Sequence, residues 1–195
     1  MTDLPEPILG TGEVLVDVHV SPVLSYARDI VSGVRVYPLE LPAALGGGAI
    51  GTVRSVGPDS TSLSVGEWVY CDPTVRARDN RATPDIMLQG IIAPTEGAMR
   101  LRHYHRHGSW AEVVRVPTEN VTPLGAMAPE DAERWSVLGR LLVPYGGLLA
   151  GDLKAGETVL VNGATGAFGS DISTTHKASR SAAPSAGPTA CLPPT

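Results

Sequence analysis

The chain has 195 residues, enough for one large domain or for one domain and part of another. Hydrophobic residues make up 43% of it, so a core can be built, while charged residues reach only 18% and the net charge is −5. That balance lacks the clustered Lys and Arg that a nucleic-acid or anionic-membrane partner needs, and no apolar run approaches the ~18–20 residues that span a bilayer.

The start, residues 1–10, is acidic and contains proline, with no basic stretch followed by an apolar one, so a cytoplasmic, soluble chain is expected. From Glu13 to Val20 apolar and polar residues alternate, placing Val14, Val16, Val18 and Val20 on one face of a half-buried strand. A short helix is expected within Val23 to Ser32, ended by Gly33. Leu45 to Gly57 brings a glycine-rich turn into a strand over Ile50 to Val56, and Glu67 to Tyr70 continues as another. Pro73 to Leu101 reads as loop, and Gly108 to Pro117 as strand again. Several short strands with Gly and Pro turns argue for a compact β-barrel or sandwich.

The character then changes. Pro129, Glu130 and Asp131 open an expected helix to Leu142, with acidic residues where the helix dipole favours them. Thr158 to Val161 is a continuous β-branched and aliphatic run, suited to a buried parallel strand. It leads into Gly163-Ala164-Thr165-Gly166-Ala167-Phe168-Gly169, a G-x-x-G-x-x-G turn. Glycines there allow a tight turn, close approach of backbone N–H groups to a pyrophosphate, and packing of the next helix. The stretch that follows lacks an apolar stripe at helical spacing, and no Asp or Glu occurs after Asp171 to hold the ribose hydroxyls. On these residues alone, a dinucleotide turn and an ordinary glycine-rich turn both stay open. Residues 171–195 are mostly Ser, Thr, Ala and Pro, a composition expected to stay disordered.

Four collinear segments carry a family resemblance: GEVLVDVHVSPV, LGGGAIGTVRSVGPDSTSLSVGEWVY, GSWAEVVRVP and LKAGETVLVNGATGAFGS. Together they resemble the medium-chain dehydrogenase/reductase superfamily, which includes zinc-type alcohol dehydrogenases and quinone reductases. The resemblance covers roughly Leu4 to Ser170. It implies a mainly β fold, with a GroES-like barrel over residues 1–128 and the start of an incomplete Rossmann domain over 129–170. It also implies NADP or NAD held by Gly163, Thr165, Gly166, Ala167, Phe168 and Gly169, a small carbonyl or unsaturated substrate, and a homodimer in full-length relatives. Because the resemblance stops in mid-motif, it implies a chain cut short by a frameshift, mis-splicing or truncation. The alternative is a non-catalytic barrel without cofactor affinity.

Zinc-using members carry a Cys early in the first helix and a Gly-His-Glu where the glycine-rich turn enters its strand. By register Leu24, Gly47 and Gly48 stand at those places, and the chain has only two cysteines, Cys71 and Cys191. A four-thiolate site is excluded by count, and no zinc is expected at either family site. By the same resemblance Ser25, Tyr26 and Tyr37 are candidate catalytic hydroxyls, against ordinary packing or surface roles, and Tyr145 could line a cleft. His103, His105 and His107 could share one strand face as a metal site, but two interleaved arginines favour a solvated loop. Cys71 is expected to be a small buried hydrophobe, and Trp68, Trp110 and Trp135 to be core or rim.

Overall fold

A computed structural model describes residues 3–154 and 157–172. The chain divides into two compact units, one ending at Val137 and the other starting at Leu138. The first holds strands β1 (Glu13–Val20), β2 (Ala49–Val56), β3 (Trp68–Cys71), β4 (Thr74–Arg76), β5 (Ile86–Leu88), β6 (Val113–Pro117) and β7 (Val121–Pro123). Its helices are α1 (Ala27–Val31), α2 (Glu96–Tyr104) and α3 (Ala132–Trp135). Five strands form one antiparallel sheet in the order β6-β1-β2-β3-β7, and β4 pairs with β5 in a separate ribbon.

The alternation in β1 does place Val14 and Val16 in the main core, with Val53, Val69, Val114 and Val116 from three other strands. Register shifts after Leu15 and after Val18 interrupt it, and Leu15 is buried as well. Bulges of this kind bend a strand and increase its twist, as a strongly curved sheet requires. The expected strands at Ile50 to Val56 and Glu67 to Tyr70 form as β2 and β3, and that at Gly108 to Pro117 is confined to β6.

Residues 73–101 are not a loop. They fold into β4, β5 and most of α2 around a second core of Val75, Met87, Ala93 and Ala98. Thr95 caps α2, its hydroxyl oxygen accepting from the Ala98 N–H at 3.0 Å while donating to Asp85 at 2.6 Å. Pro94-Thr95-Glu96 was the local signal for this helix, and short two-residue apolar alternations hid the strands. Buried Gln89 ties this lobe to the sheet, its amide donating to the backbone carbonyls of His107 and Arg115, each at 2.8 Å.

The expected helix from Pro129 to Leu142 is in three pieces. A 3-10 turn at Pro129–Asp131 runs into α3, and a longer helix α4 covers Leu138–Ala150. At the end of α3 the Ser136 hydroxyl donates to the Glu133 carbonyl at 2.7 Å, a local bond that competes with helix continuation. The second unit holds α4, the glycine turn and a helical segment over residues 167–172. That segment is helical as far as residue 172, although the stretch after the turn lacks an apolar stripe at helical spacing. The expected disorder of residues 171–195 is corrected at residues 171 and 172, which belong to this helical segment, and for residues 173–195 it lies outside the described residues.

Thr158 to Val161 is likewise corrected: it pairs in no ladder, and Leu160 is 95% exposed. A parallel strand is stable only between neighbours that complete its hydrogen bonds and cover both faces, and the described residues supply none. No helix among the described residues is long and apolar enough to cross a membrane.

Candidate functional site

The glycine-rich entry to β2 is fastened by backbone. The Ser109 N–H donates to the Gly46 carbonyl at 3.0 Å, Trp110 N–H to Leu45 at 2.7 Å, and Gly46 N–H to Gly90 at 3.2 Å. Two hydroxyls converge on the Gly48 carbonyl: buried Ser109 donates to it at 2.6 Å, and Ser21 lies 3.3 Å from it and 2.7 Å from the Ser109 oxygen. A zinc ion would need Leu24, Gly47 and Gly48 to offer N, S or O side-chain donors, and none does. A side chain on Gly47 would run into the Ile91 side chain, with Ile91 Cγ1 2.8 Å from the new Cβ. These residues do not fit the metal.

The candidate hydroxyls separate. Ser25 is exposed, whereas Tyr26 and Tyr37 come together around Arg35. The guanidinium lies 4.3 Å from the centre of the Tyr26 ring, and its Nη1 donates to the Tyr37 hydroxyl at 3.4 Å. Burial, and then Tyr37 beside it, push the Tyr26 hydroxyl above its ordinary pKa. It therefore stays protonated at neutral pH and can donate. Sequence reasoning missed Arg35 because its partners are set by a loop with no periodicity.

His103, His105 and His107 do not share a strand face. His103 lies in α2 with Nδ1 3.4 Å from a Glu40 carboxylate oxygen, His105 ends the helix as a buried residue, and His107 Nδ1 accepts from the Ala44 N–H at 3.2 Å. Helical spacing over residues 96–104 replaces the two-residue alternation on which the metal reading rested, and burial of His105 replaces the solvated loop. Of the aromatics, Trp68 stacks tilted on His19 at 4.6 Å, Trp110 donates to the Pro22 carbonyl at 3.3 Å, and Trp135 and Tyr145 are partly exposed.

Cys71 is buried, and burial pushes its thiol up to about 12. In a Cys191→Ser variant, an aromatic disulfide reagent at pH 8 should find no thiol in the folded protein and one after urea. Release of one equivalent before urea would contradict the burial.

In the second unit Gly163 has φ +71° and its carbonyl accepts from the Gly166 N–H at 2.9 Å. Residues 163–168 are exposed, and only Gly169 within the turn is buried. A Cβ at Gly169 would collide with the Gly163 carbonyl and come 2.8 Å from Ala164 Cα, so this turn requires glycine there. Its exposed glycine backbone is of the kind that can approach a pyrophosphate, while the Gly166 and Ser170 N–H groups already donate to the Gly163 and Gly166 carbonyls. Asp171, the last acidic residue of the chain, is paired with Arg140 on α4 at 2.6 Å.

A family model described as the alcohol dehydrogenase GroES-like domain matches residues 10–126. Among solved structures, an NAD-dependent alcohol dehydrogenase is similar at 24% identity and a TM-score of 0.70, covering 91% of this chain and 50% of that one. A quinone oxidoreductase from Pseudomonas syringae pv. Tomato DC3000 is 23% identical at a TM-score of 0.60, covering 91% and 45%. A mycobacterial protein complexed with NADPH is 25% identical at 0.60, covering 90% and 44%. The chain spans about half the length of these structures. No curated protein matches the sequence.

Proposed function

The chain belongs to the alcohol dehydrogenase GroES-like domain family of medium-chain oxidoreductases, and from that premise we propose that it is a zinc-independent barrel of this type that holds no nicotinamide cofactor by itself. The observation that carries the reading is the bare run Thr158 to Val161, with Leu160 95% exposed. Among the described residues the glycine turn at Gly163 to Gly169 has no paired strand behind it, and the sequence has no Asp or Glu after Asp171 to take the ribose hydroxyls.

In longer proteins of this kind NADP or NAD, when bound, supplies or accepts the hydride of a small carbonyl or unsaturated substrate. What this chain would bring to that chemistry is the protonated Tyr26 hydroxyl, held with Tyr37 around Arg35, as donor to the substrate oxygen. Small molecules, rather than nucleic acid or membranes, are its proposed partners, and the cytoplasm its proposed setting.

Fluorescence titration of the purified 195-residue protein with NADPH and NADH tests this. The expected result is no saturable binding up to millimolar cofactor. Saturation in the micromolar range would overturn the reading and make the chain a cofactor-binding oxidoreductase in its own right.

A further inference from the structure

Asn162 and Gly163 stand where the apolar run Thr158 to Val161 meets the glycine turn, and theirs is the only Asn-Gly pair in the chain. An asparagine side chain and the backbone nitrogen of the next residue can close into a five-membered ring, a reaction that makes asparagine one of the chemically labile residues. Two things ordinarily prevent it. A side chain on the following residue crowds the approach, and a hydrogen-bonded backbone holds the reacting atoms apart. Glycine removes the first obstacle. The fold decides the second.

Here the fold leaves the pair free to close. Both residues are exposed and lie in a turn. Gly163 has φ +71°, and a Cβ built on it would meet nothing within 4 Å. Among the described residues no hydrogen bond holds the Asn162 side chain or the Gly163 N–H. Just upstream, Thr158 to Val161 pairs in no ladder and Leu160 is 95% exposed. A strand bonded on both sides would fix the backbone at Asn162, whereas an unpaired one lets it rotate. The other two asparagines are the contrast. Asn120 is buried, its amide donates to the Asp72 and Thr74 carbonyls at 2.8 and 2.9 Å, and β-branched Val121 follows it. Asn80 is exposed, but Arg81 follows it.

We propose that Asn162 is a site of spontaneous deamidation, with water as co-reactant. The Gly163 nitrogen gives up its proton to hydroxide and forms a bond to Asn162 Cγ. The bond from Cγ to Nδ2 breaks, and the amide nitrogen leaves as ammonia with the proton that Gly163 released. Water then opens the cyclic imide at either carbonyl. One opening gives aspartate, and the other gives isoaspartate, which adds a carbon to the main chain. One water enters, one ammonia leaves, and nothing is oxidised or reduced. Either product sets a new carboxylate at the entry to the glycine turn, where it opposes an anion approaching the turn's backbone.

The test is incubation of the full chain at pH 8 in buffer free of ammonium, with samples taken over days, cleaved rapidly with trypsin and read by mass spectrometry. Cleavage after Lys154 and Lys177 releases a peptide in which Asn162 is the only amide side chain. A synthetic copy of that peptide, incubated alongside, gives the rate of the unrestrained sequence. Asn162 in the folded chain should convert within a few-fold of the free-peptide rate, with the mass gain of an NH2 group replaced by OH, split between two chromatographic products. The peptides that hold Asn80 and Asn120 should stay unchanged over the same time. Gly163→Val should slow conversion several-fold in chain and peptide alike, by restoring the crowding that glycine removes. A folded chain that keeps Asn162 intact while the free peptide converts overturns the proposal, because the turn then protects the bond. Conversion of Asn80 or Asn120 as fast as that of Asn162 overturns it as well.

Discussion

Replacing Gly46 by alanine should destabilise the first unit by about 3–5 kcal/mol and lower its Tm by about 10 °C or more. Two costs act together. Gly46 has φ +100°, a conformation L side chains rarely adopt, and holding one there costs about 1–3 kcal/mol. A Cβ at this position would also run into the Trp110 ring and stand 2.7 Å from the Trp110 backbone nitrogen, and overpacking of this kind costs about 1–3 kcal/mol more. Trp110 cannot readily withdraw, because its N–H is bonded to Leu45 and its indole to Pro22. Thermal unfolding followed by tryptophan fluorescence reads the effect. A variant that melts within about 2 °C of the parent would show that the turn into β2 is looser than described. The same turn would have to present metal ligands in a zinc-using relative, so its rigidity bears on function as well as stability.

Stability should fall by about 3 kcal/mol between pH 6.5 and pH 4 on account of His105 alone. Burial lowers its pKa from 6.5 to about 4, helped by Arg115 and Arg78 and opposed by Glu13 and Glu119. Above pH 6.5 the imidazole is neutral in both the folded and the unfolded chain, and it contributes no pH dependence. Below pH 6.5 the unfolded chain takes up a proton that the folded one refuses. The unfolded state then binds more protons, so stability declines with falling pH until the folded imidazole titrates too, near pH 4. Urea unfolding at pH 7 and pH 4.5 measures the difference, and His105→Phe, which keeps a ring against Tyr104, should remove most of this component. An unchanged acid slope in that variant would assign the loss to other groups.

The barrel strands were legible because β pairing over a half-buried face writes itself into alternation and into glycine and proline between strands. Val14 and Val16 could be placed on the buried face from the sequence alone. The order of four motifs then pointed to the family that the match to residues 10–126 shows. The lobe from Pro73 to His107 was not legible. Its strands are three residues long, its core is four small or flexible side chains, and its helix is polar on average, carrying Arg100, Arg102 and His103. Periodicity needs length to show.

Chain-local chemistry by itself determined which segments seek a partner: the alternating valines of β1, the β-branched run at Thr158 to Val161, and the glycine turn that follows it. Only the tertiary structure decided whether the partner is present. Ala49 to Val56 found neighbours on both sides, whereas Thr158 to Val161, equally apolar, found none among the described residues. Tyr26 and Tyr37 were brought to one arginine, and Arg102 was buried with no acceptor, although its sequence neighbours Arg100 and His103 are exposed. The reason is common to all of these. A residue's preference for burial or pairing is a property of its own atoms and near neighbours, but its satisfaction depends on groups tens of residues away, and those are set by how the strands pair and pack around the core.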